Sequence, residues 1–170
     1  MLFRSGEGAD AIHTEPIYSY AVARLETDGP DTGIGLAFTI GGGNLLVCEA
    51  IEALAEPLVG REIEELMADF GQVLYRISNH HQLRWLGPHK GVVHLALAAI
   101  SNACFDLWAK KRGVPLWRLL LDLSPDQIVA LLDLSYLEDV LTKEQARVLL
   151  IKGQVGRADR EGVLDRKSVV

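Results

Sequence analysis

The chain has 170 residues, room for one ordinary domain or for a small domain plus part of another. Its 49% hydrophobic and 24% charged residues supply ample material for a core and exclude wholesale disorder. A formal net charge of −6, with no Lys/Arg cluster interleaved with aromatics, excludes a nucleic-acid partner.

The first predicted element is a strand over 18–27, with Tyr20, Val22 and Leu25 available for burial. Asp28-Gly29-Pro30-Asp31-Thr32-Gly33 reads as a turn, and 34–40 as the returning strand. Asn44 is expected to cap a helix running to about Val59, with Leu46, Ala50, Leu54 and Leu58 buried and Gly60 ending it. A second helix is expected over 62–77, carrying Ile63, Leu66, Phe70, Val73 and Leu74 on its inner face.

The principal helix is predicted over 92–112. Val93, Leu97, Ile100, Cys104 and Leu107 recur at spacings of four and three and line one face. Ala96, Ala99 and Ala103 form a neighbouring stripe of small residues that lets another element approach closely. Pro88 suits a first-turn position, while Lys110, Lys111 and Arg112 suit the carbonyl end of the helix dipole. Gly113 supplies a left-handed C-terminal cap, and Pro115 prevents the helix from restarting. Asp106 and Lys110, four apart, can pair on the exposed side for roughly 0.3 kcal/mol.

Beyond 120, Ser124-Pro125-Asp126-Gln127 has the form of a capping box with proline at the first helical position. The apolar run 128–134 reads as a strand buried on both faces. Thr142-Lys143-Glu144-Gln145 is a second capping box, opening a helix to about Lys152. The charged tail 154–170 shows no core face and is expected to be loosely ordered. The fold class is therefore α+β: an antiparallel hairpin and three helices over 1–122, then one strand-helix unit over 123–153.

Few residues carry chemistry by pattern alone. Cys48 and Cys104 sit in apolar helical patterns and read as buried structural thiols in a reducing, cytoplasmic compartment. Residues 1–6 lack a signal-peptide core, and the strictly apolar runs 92–100 and 116–121 fall short of a bilayer, so no membrane partner is expected. His80 and His81 are adjacent and expected to point apart, and His89 and His94 are five apart, so no helical metal pair arises. Gly33-Ile34-Gly35 and Gly41-Gly42-Gly43 complete no nucleotide-loop motif. Arg84 can face a substrate carboxylate and Trp85 can wall a pocket, though a surface arginine beside a packed tryptophan is the preferred reading. Trp108 and Trp117 read as core or interface residues.

The run 98–110, Ala-Ala-Ile-Ser-Asn-Ala-Cys-Phe-Asp-Leu-Trp-Ala-Lys, with Pro115-Leu116-Trp117-Arg118-Leu119-Leu120, resembles the N-terminal signature of the mandelate racemase and muconate lactonizing group of the enolase superfamily. Leu121 stands where the usual pattern has glycine. Residues 8–19, Gly-Ala-Asp-Ala-Ile-His-Thr-Glu-Pro-Ile-Tyr-Ser, and Gln82-Leu83-Arg84-Trp85-Leu86-Gly87-Pro88 are similar to the L-fuconate dehydratase branch, as is Leu132-Asp133-Leu134-Ser135-Tyr136. The similarity runs over roughly 8–161.

That resemblance implies an α+β capping domain ahead of a (β/α) barrel, and magnesium-dependent dehydration of an acid-sugar substrate to a 2-keto-3-deoxy acid. It implies that Gly8, Ala9, Asp10 and Tyr18 contact the substrate from a cap loop, with His13 in the same loop. The strand that the family has before the Gly8 region is not matched here. Nor are its lysine pair, three metal carboxylates and histidine-aspartate dyad, which lie downstream in the family. The expectation is therefore a cap without its catalyst: no catalytic or metal residue, no bound cofactor and no turnover by this chain alone. Alternatives are a non-catalytic interaction module, or a half-enzyme completed by a second chain carrying the barrel. A full-length relative is expected to be a homo-oligomer.

Overall fold

The computed structural model describes residues 18–87 and 91–167. Strands β1 (Ser19–Glu26) and β2 (Thr32–Thr39) form an antiparallel hairpin in register from Ser19↔Thr39 to Glu26↔Thr32. Thr27 closes its turn: the hydroxyl donates to the Asp31 carbonyl at 2.8 Å and accepts from Gly29 N–H at 3.2 Å. The helices follow as α1 (Asn44–Ala55), α2 (Ile63–Ala68), α3 (Phe70–Ser78), α4 (Gly91–Lys111), α5 (Leu116–Asp122), α6 (Pro125–Ala130), α7 (Lys143–Gly153) and α8 (Arg157–Lys167). The α+β architecture agrees with the sequence reading.

Helix α4 is the spine. The face predicted from its periodicity is buried at Val93, Leu97, Ile100, Cys104 and Leu107, and so is the stripe Ala96, Ala99, Ala103. Both strands and helices α1, α2 and α3 pack around it in one core. By length and composition α4 could cross a bilayer, which its short strictly apolar runs did not suggest; 56% of its most apolar window is buried inside the fold.

The hairpin faces the opposite way from expectation. Ala21 and Ala23 point inward, Tyr20 and Val22 point outward, and Leu25 is half-buried. On β2, Gly33, Gly35 and Ala37 face α4, while Ile34, Leu36 and Phe38 face away. The cause is proximity: a Cβ on Gly33 would lie 2.3 Å from the Ala103 carbonyl oxygen, and one on Gly35 2.0 Å from that of Ala99. Side-chain size, rather than hydrophobicity, selects the buried face.

Asp106 and Lys110 do more than pair on the helix surface. Besides their 2.6 Å contact, Asp106 Oδ2 accepts from Ile34 N–H at 2.8 Å and Lys110 Nζ donates to the Thr32 carbonyl at 2.9 Å. Two charged side chains thus occupy backbone groups on the outer edge of β2. Asp106→Ala should therefore lower stability by about 1 kcal/mol rather than the roughly 0.3 kcal/mol of an isolated helical pair, as read from urea denaturation.

Other boundaries shift for local reasons. Gly43, at φ 78°, takes the N-cap position of α1. Asn44 instead ties the helix to the hairpin, donating from Nδ2 to the Tyr20 carbonyl (3.2 Å) and accepting the Thr39 hydroxyl on Oδ1 (2.9 Å). The buried stripe of α1 is Val47, Ala50, Ile51 and Leu54, with Leu46 exposed. Pro57 falls in a 3₁₀ turn, Glu56–Leu58, that ends the helix before Gly60. The helix expected over 62–77 breaks at Asp69 (φ −139°, ψ 43°), although Ile63, Leu66, Phe70 and Val73 are buried as expected and Leu74 is part-buried. The break turns Gly71 toward residues 130–132, where an added Cβ would lie 2.2 Å from the Leu132 carbonyl oxygen.

No strand forms over 128–134. Both halves of the Ser124–Gln127 capping box are made, and the helix started there with Pro125 runs to Ala130. A strand buried on both faces needs a neighbouring strand, and the described sheet contains only β1 and β2. Leu131 and Leu134 are buried without it. The Thr142–Gln145 box opens α7 as expected.

The tail also departs from expectation, because α8 is helical. It is tethered by polar contacts rather than by a core face: Arg118 pairs with Glu161, and Arg157 donates to the Leu121 carbonyl. Arg160 reaches back to the Val155 carbonyl at 2.8 Å.

Candidate functional site

Of the side chains assigned to the substrate loop, Tyr18 is described; Gly8, Ala9, Asp10 and His13 lie outside the described residues, as does Pro88. Tyr18 stands where the chain enters β1. It is 43% exposed, with its ring 5.2 Å from that of Phe38, which also meets Tyr20 edge-on at 5.8 Å. The Thr39–Asn44–Tyr20 hydrogen bonds secure this end of the sheet. A phenol on a fixed strand end can both donate to and accept from a polyol hydroxyl.

Arg84 and Trp85 lie in a 3₁₀ turn, Arg84–Leu86, that leads toward α4. Trp85 is 78% exposed, so the packed-anchor reading is wrong. Leu83 and Leu86 hold this turn against the core instead. Trp108 is buried, as expected, and Trp117 is half-buried. The Arg112 guanidinium lies 4.5 Å from the Trp108 ring centroid and forks onto Glu64 at 2.8 and 2.7 Å. Those hydrogen bonds hold the Glu64 carboxyl below the usual carboxylate range against the opposing effect of desolvation.

His80 and His81 do not diverge. Their rings stack at 5.2 Å and 16° because the backbone winds through turns, with Leu83 and Arg84 N–H both donating to the His80 carbonyl. Side chains alternate in an extended strand but not in such a turn. Among the described residues no group of three or more His, Cys, Asp or Glu could hold a metal ion. Cys104 is buried, which pushes its thiol up to about 12 and leaves it unreactive at neutral pH; Cys48 is half-buried and also free.

Sequence patterns missed a cleft of about 330 Å³ between α1 and α3. Leu54, Val73 and Ile77 line it with Arg61, Arg76 and His80, two guanidinium groups and an imidazole over an apolar floor. Its residues come from two separate stretches of chain, 54–61 and 73–80, so no local motif marks it.

A family model described as the mandelate racemase / muconate lactonizing enzyme, N-terminal domain, matches residues 9–120. Human mitochondrial enolase superfamily member 1 is 46% identical over 158 residues, covering 92% of this chain and 36% of that protein. The L-galactonate dehydratase of Hypocrea jecorina is 43% identical over 163 residues, covering 95% of this chain and 36% of that protein. The crystal structure of the human protein superposes with a TM-score of 0.87 at 45% identity, over 94% of this chain and 36% of that one. The chain thus spans about a third of the length of these relatives. The match is to the domain and to acid-sugar dehydratases, without singling out L-fuconate. By the span of the family match and the agreement in fold, the chain belongs to the N-terminal domain family of mandelate racemase and muconate lactonizing enzymes, within the enolase superfamily.

Proposed function

We propose that this chain forms the cap of a magnesium-dependent dehydratase acting on a six-carbon sugar acid of L-galacto configuration. The observation that carries this reading is the 43% identity to an L-galactonate dehydratase over 95% of the chain. L-Fuconate, suggested by the motifs around residues 8–19 and 82–88, is 6-deoxy-L-galactonate. The two acids share every stereocentre and differ in one terminal hydroxyl, so both readings describe one substrate class.

The reaction removes the proton at C2 and the hydroxyl at C3 as water, and the resulting enol becomes a 2-keto-3-deoxy acid. This chain's part is to bind and enclose. Tyr18 hydrogen-bonds the sugar hydroxyls, with Gly8, Ala9 and Asp10 of the same loop as further substrate contacts. His13, Arg84 and Trp85 are secondary candidates for the pocket wall. Magnesium and the groups that carry the chemistry are expected from a barrel joined to the cap or supplied in trans. The free thiols favour a reducing compartment such as the cytoplasm.

The test is a swap in which residues 8–161 replace the matching segment of the Hypocrea jecorina L-galactonate dehydratase. The chimera should form 2-keto-3-deoxy acid from both L-galactonate and L-fuconate with magnesium, whereas the chain alone should give none above background. Tyr18→Phe in the chimera should raise KM several-fold with a smaller change in kcat. A folded chimera inactive on both acids would sink the proposal, and turnover by the chain alone would overturn the division of labour.

A further inference from the structure

The cleft between α1 and α3 is built from side chains that the enclosure of a sugar acid does not use. Val73, Arg76 and Ile77 stand at i, i+3 and i+4 on one face of α3, and His80 follows at i+7 on the turn beyond it, its N–H donating to the Ile77 carbonyl at 3.2 Å. Leu54 and Arg61 face them from the end of α1, where the 3₁₀ turn at Pro57 and the turn at Gly60 (φ 75°) bring the chain back. The Arg61 N–H donates to the Leu58 carbonyl at 3.2 Å and secures that return. The cleft lies at the opposite end of α1 from the start of β1. Asn44 bonds the Tyr20 carbonyl there, and Leu54 stands roughly 15 Å further along the helix axis.

Three features define the occupant. The first is size: 330 Å³ holds roughly ten non-hydrogen atoms, at the ~30 Å³ that a water molecule takes up in the liquid. The second is polarity. Buried Leu54, Val73 and Ile77 close the floor, and the exposed Pro57 ring and the arginine stems wall it, which suits an apolar or aromatic body rather than a polyol. The third is charge. Arg24, Arg112, Arg118, Arg147, Arg157 and Arg160 each bond a carboxylate or a carbonyl of the fold. Among the described residues Arg61 and Arg76 have no such partner, and no Asp or Glu lines the cleft. His80 Nδ1 is buried and also unpartnered, so its ring can turn toward an anion without breaking a hydrogen bond. Because the chain as a whole carries −6, an anion held here is held by these local groups.

We propose that this cleft binds a small amphipathic carboxylate of the arylalkanoate class. The carboxylate lies between the Arg61 and Arg76 guanidinium groups, whose N–H forks match its two oxygens, with the His80 imidazole beside them. The aryl body covers Pro57 and the apolar floor. Nothing in this assignment depends on which sugar acid the cap encloses.

Titration of the ¹⁵N-labelled full chain with 3-phenylpropanoate tests the proposal. Amide shifts should concentrate in 54–61 and 73–80 and saturate with a Kd of about 1 mM or lower. Two probes separate the contributions: 3-phenylpropan-1-ol keeps the body without the charge, and inorganic phosphate keeps the charge without the body. Each should bind at least ~10-fold more weakly. Arg61→Gln and Arg76→Gln, both at exposed positions, should each weaken 3-phenylpropanoate ~5–10-fold while the amide spectrum of α4 stays in place. If a glutamine variant does not fold, the lysine variant at the same position keeps the charge, loses the fork and should still weaken binding ~3-fold. Absence of saturable shifts up to about 10 mM overturns the proposal. So does phosphate binding as tightly as 3-phenylpropanoate, which would leave a plain anion site, or an affinity indifferent to substitution of both arginines, which would place the ligand elsewhere.

Discussion

Gly35→Ala should destabilise the chain by at least about 3 kcal/mol, lowering the melting temperature by roughly 6–12 °C. The added methyl carbon would sit 2.0 Å from the Ala99 carbonyl oxygen, 2.4 Å from Ala103 N and 3.0 Å from the Asn102 carbonyl carbon. All three are backbone atoms of α4, so no rotamer change relieves the clash. The hairpin must instead lift from the helix, opening space between Ala21, Ala23 and Ala37 and the stripe Ala96, Ala99, Ala103. Gly35 is not at positive φ, so alanine meets no backbone penalty there and the loss measures packing alone. Gly42→Ala is the matched control: its Cβ would meet nothing within 4 Å, and the change should stay within about 0.5 kcal/mol. Urea denaturation of the two variants decides the matter. A Gly35→Ala protein within 1 kcal/mol of wild type would refute the close approach of hairpin and helix.

The same packing explains what could be read from the sequence. Helix α4 was legible because its apolar period, small-residue stripe and Gly113 stop signal agree with one another, and the structure adds only its partners. The two capping boxes were legible because each is a local exchange of hydrogen bonds across three residues. The hairpin's orientation was misread because Tyr20 and Val22 are apolar, and apolar residues are ordinarily assigned to the core. The signal lay in the opposite strand, where Gly33, Gly35 and Ala37 alternate with Ile34, Leu36 and Phe38 and mark the face a helix can approach. The run 128–134 misled because periodicity cannot tell a short buried helix with its exit from a buried strand. At the candidate site, Tyr18 became a candidate through family resemblance alone, since one tyrosine at a strand end has no pattern of its own. The cleft of Arg61, Arg76 and His80 needed tertiary structure to exist at all.

Phe70→Ala should cost about 3–5 kcal/mol, roughly a fifth or more of the stability of an ordinary domain. Phe70 is wholly buried immediately after the break between α2 and α3. Its ring meets Phe105 edge-on at 5.6 Å and 88°, and Phe105 leads to Trp108 at 6.4 Å. Arg112 covers Trp108 and returns to Glu64 on α2, closing a circuit from α3 through α4 to α2. Removing the ring takes away both its buried area and an edge-to-face contact worth about 0.5–1.5 kcal/mol. Removing the other end of the circuit should matter far less: the Arg112–Glu64 pair is a third to a half exposed, and Arg112→Ala should cost about 1 kcal/mol or less. The Phe70 cavity also adjoins Gly71, whose bare backbone receives the Leu132 carbonyl. Loosening α3 there should release α6 and α7 before it frees α4. Hydrogen exchange should accordingly accelerate first over 125–153 in Phe70→Ala, while the amides of α4 continue to exchange only through global unfolding. Uniform acceleration across α4 and α7 would mean instead that these helices form one cooperative unit with the core.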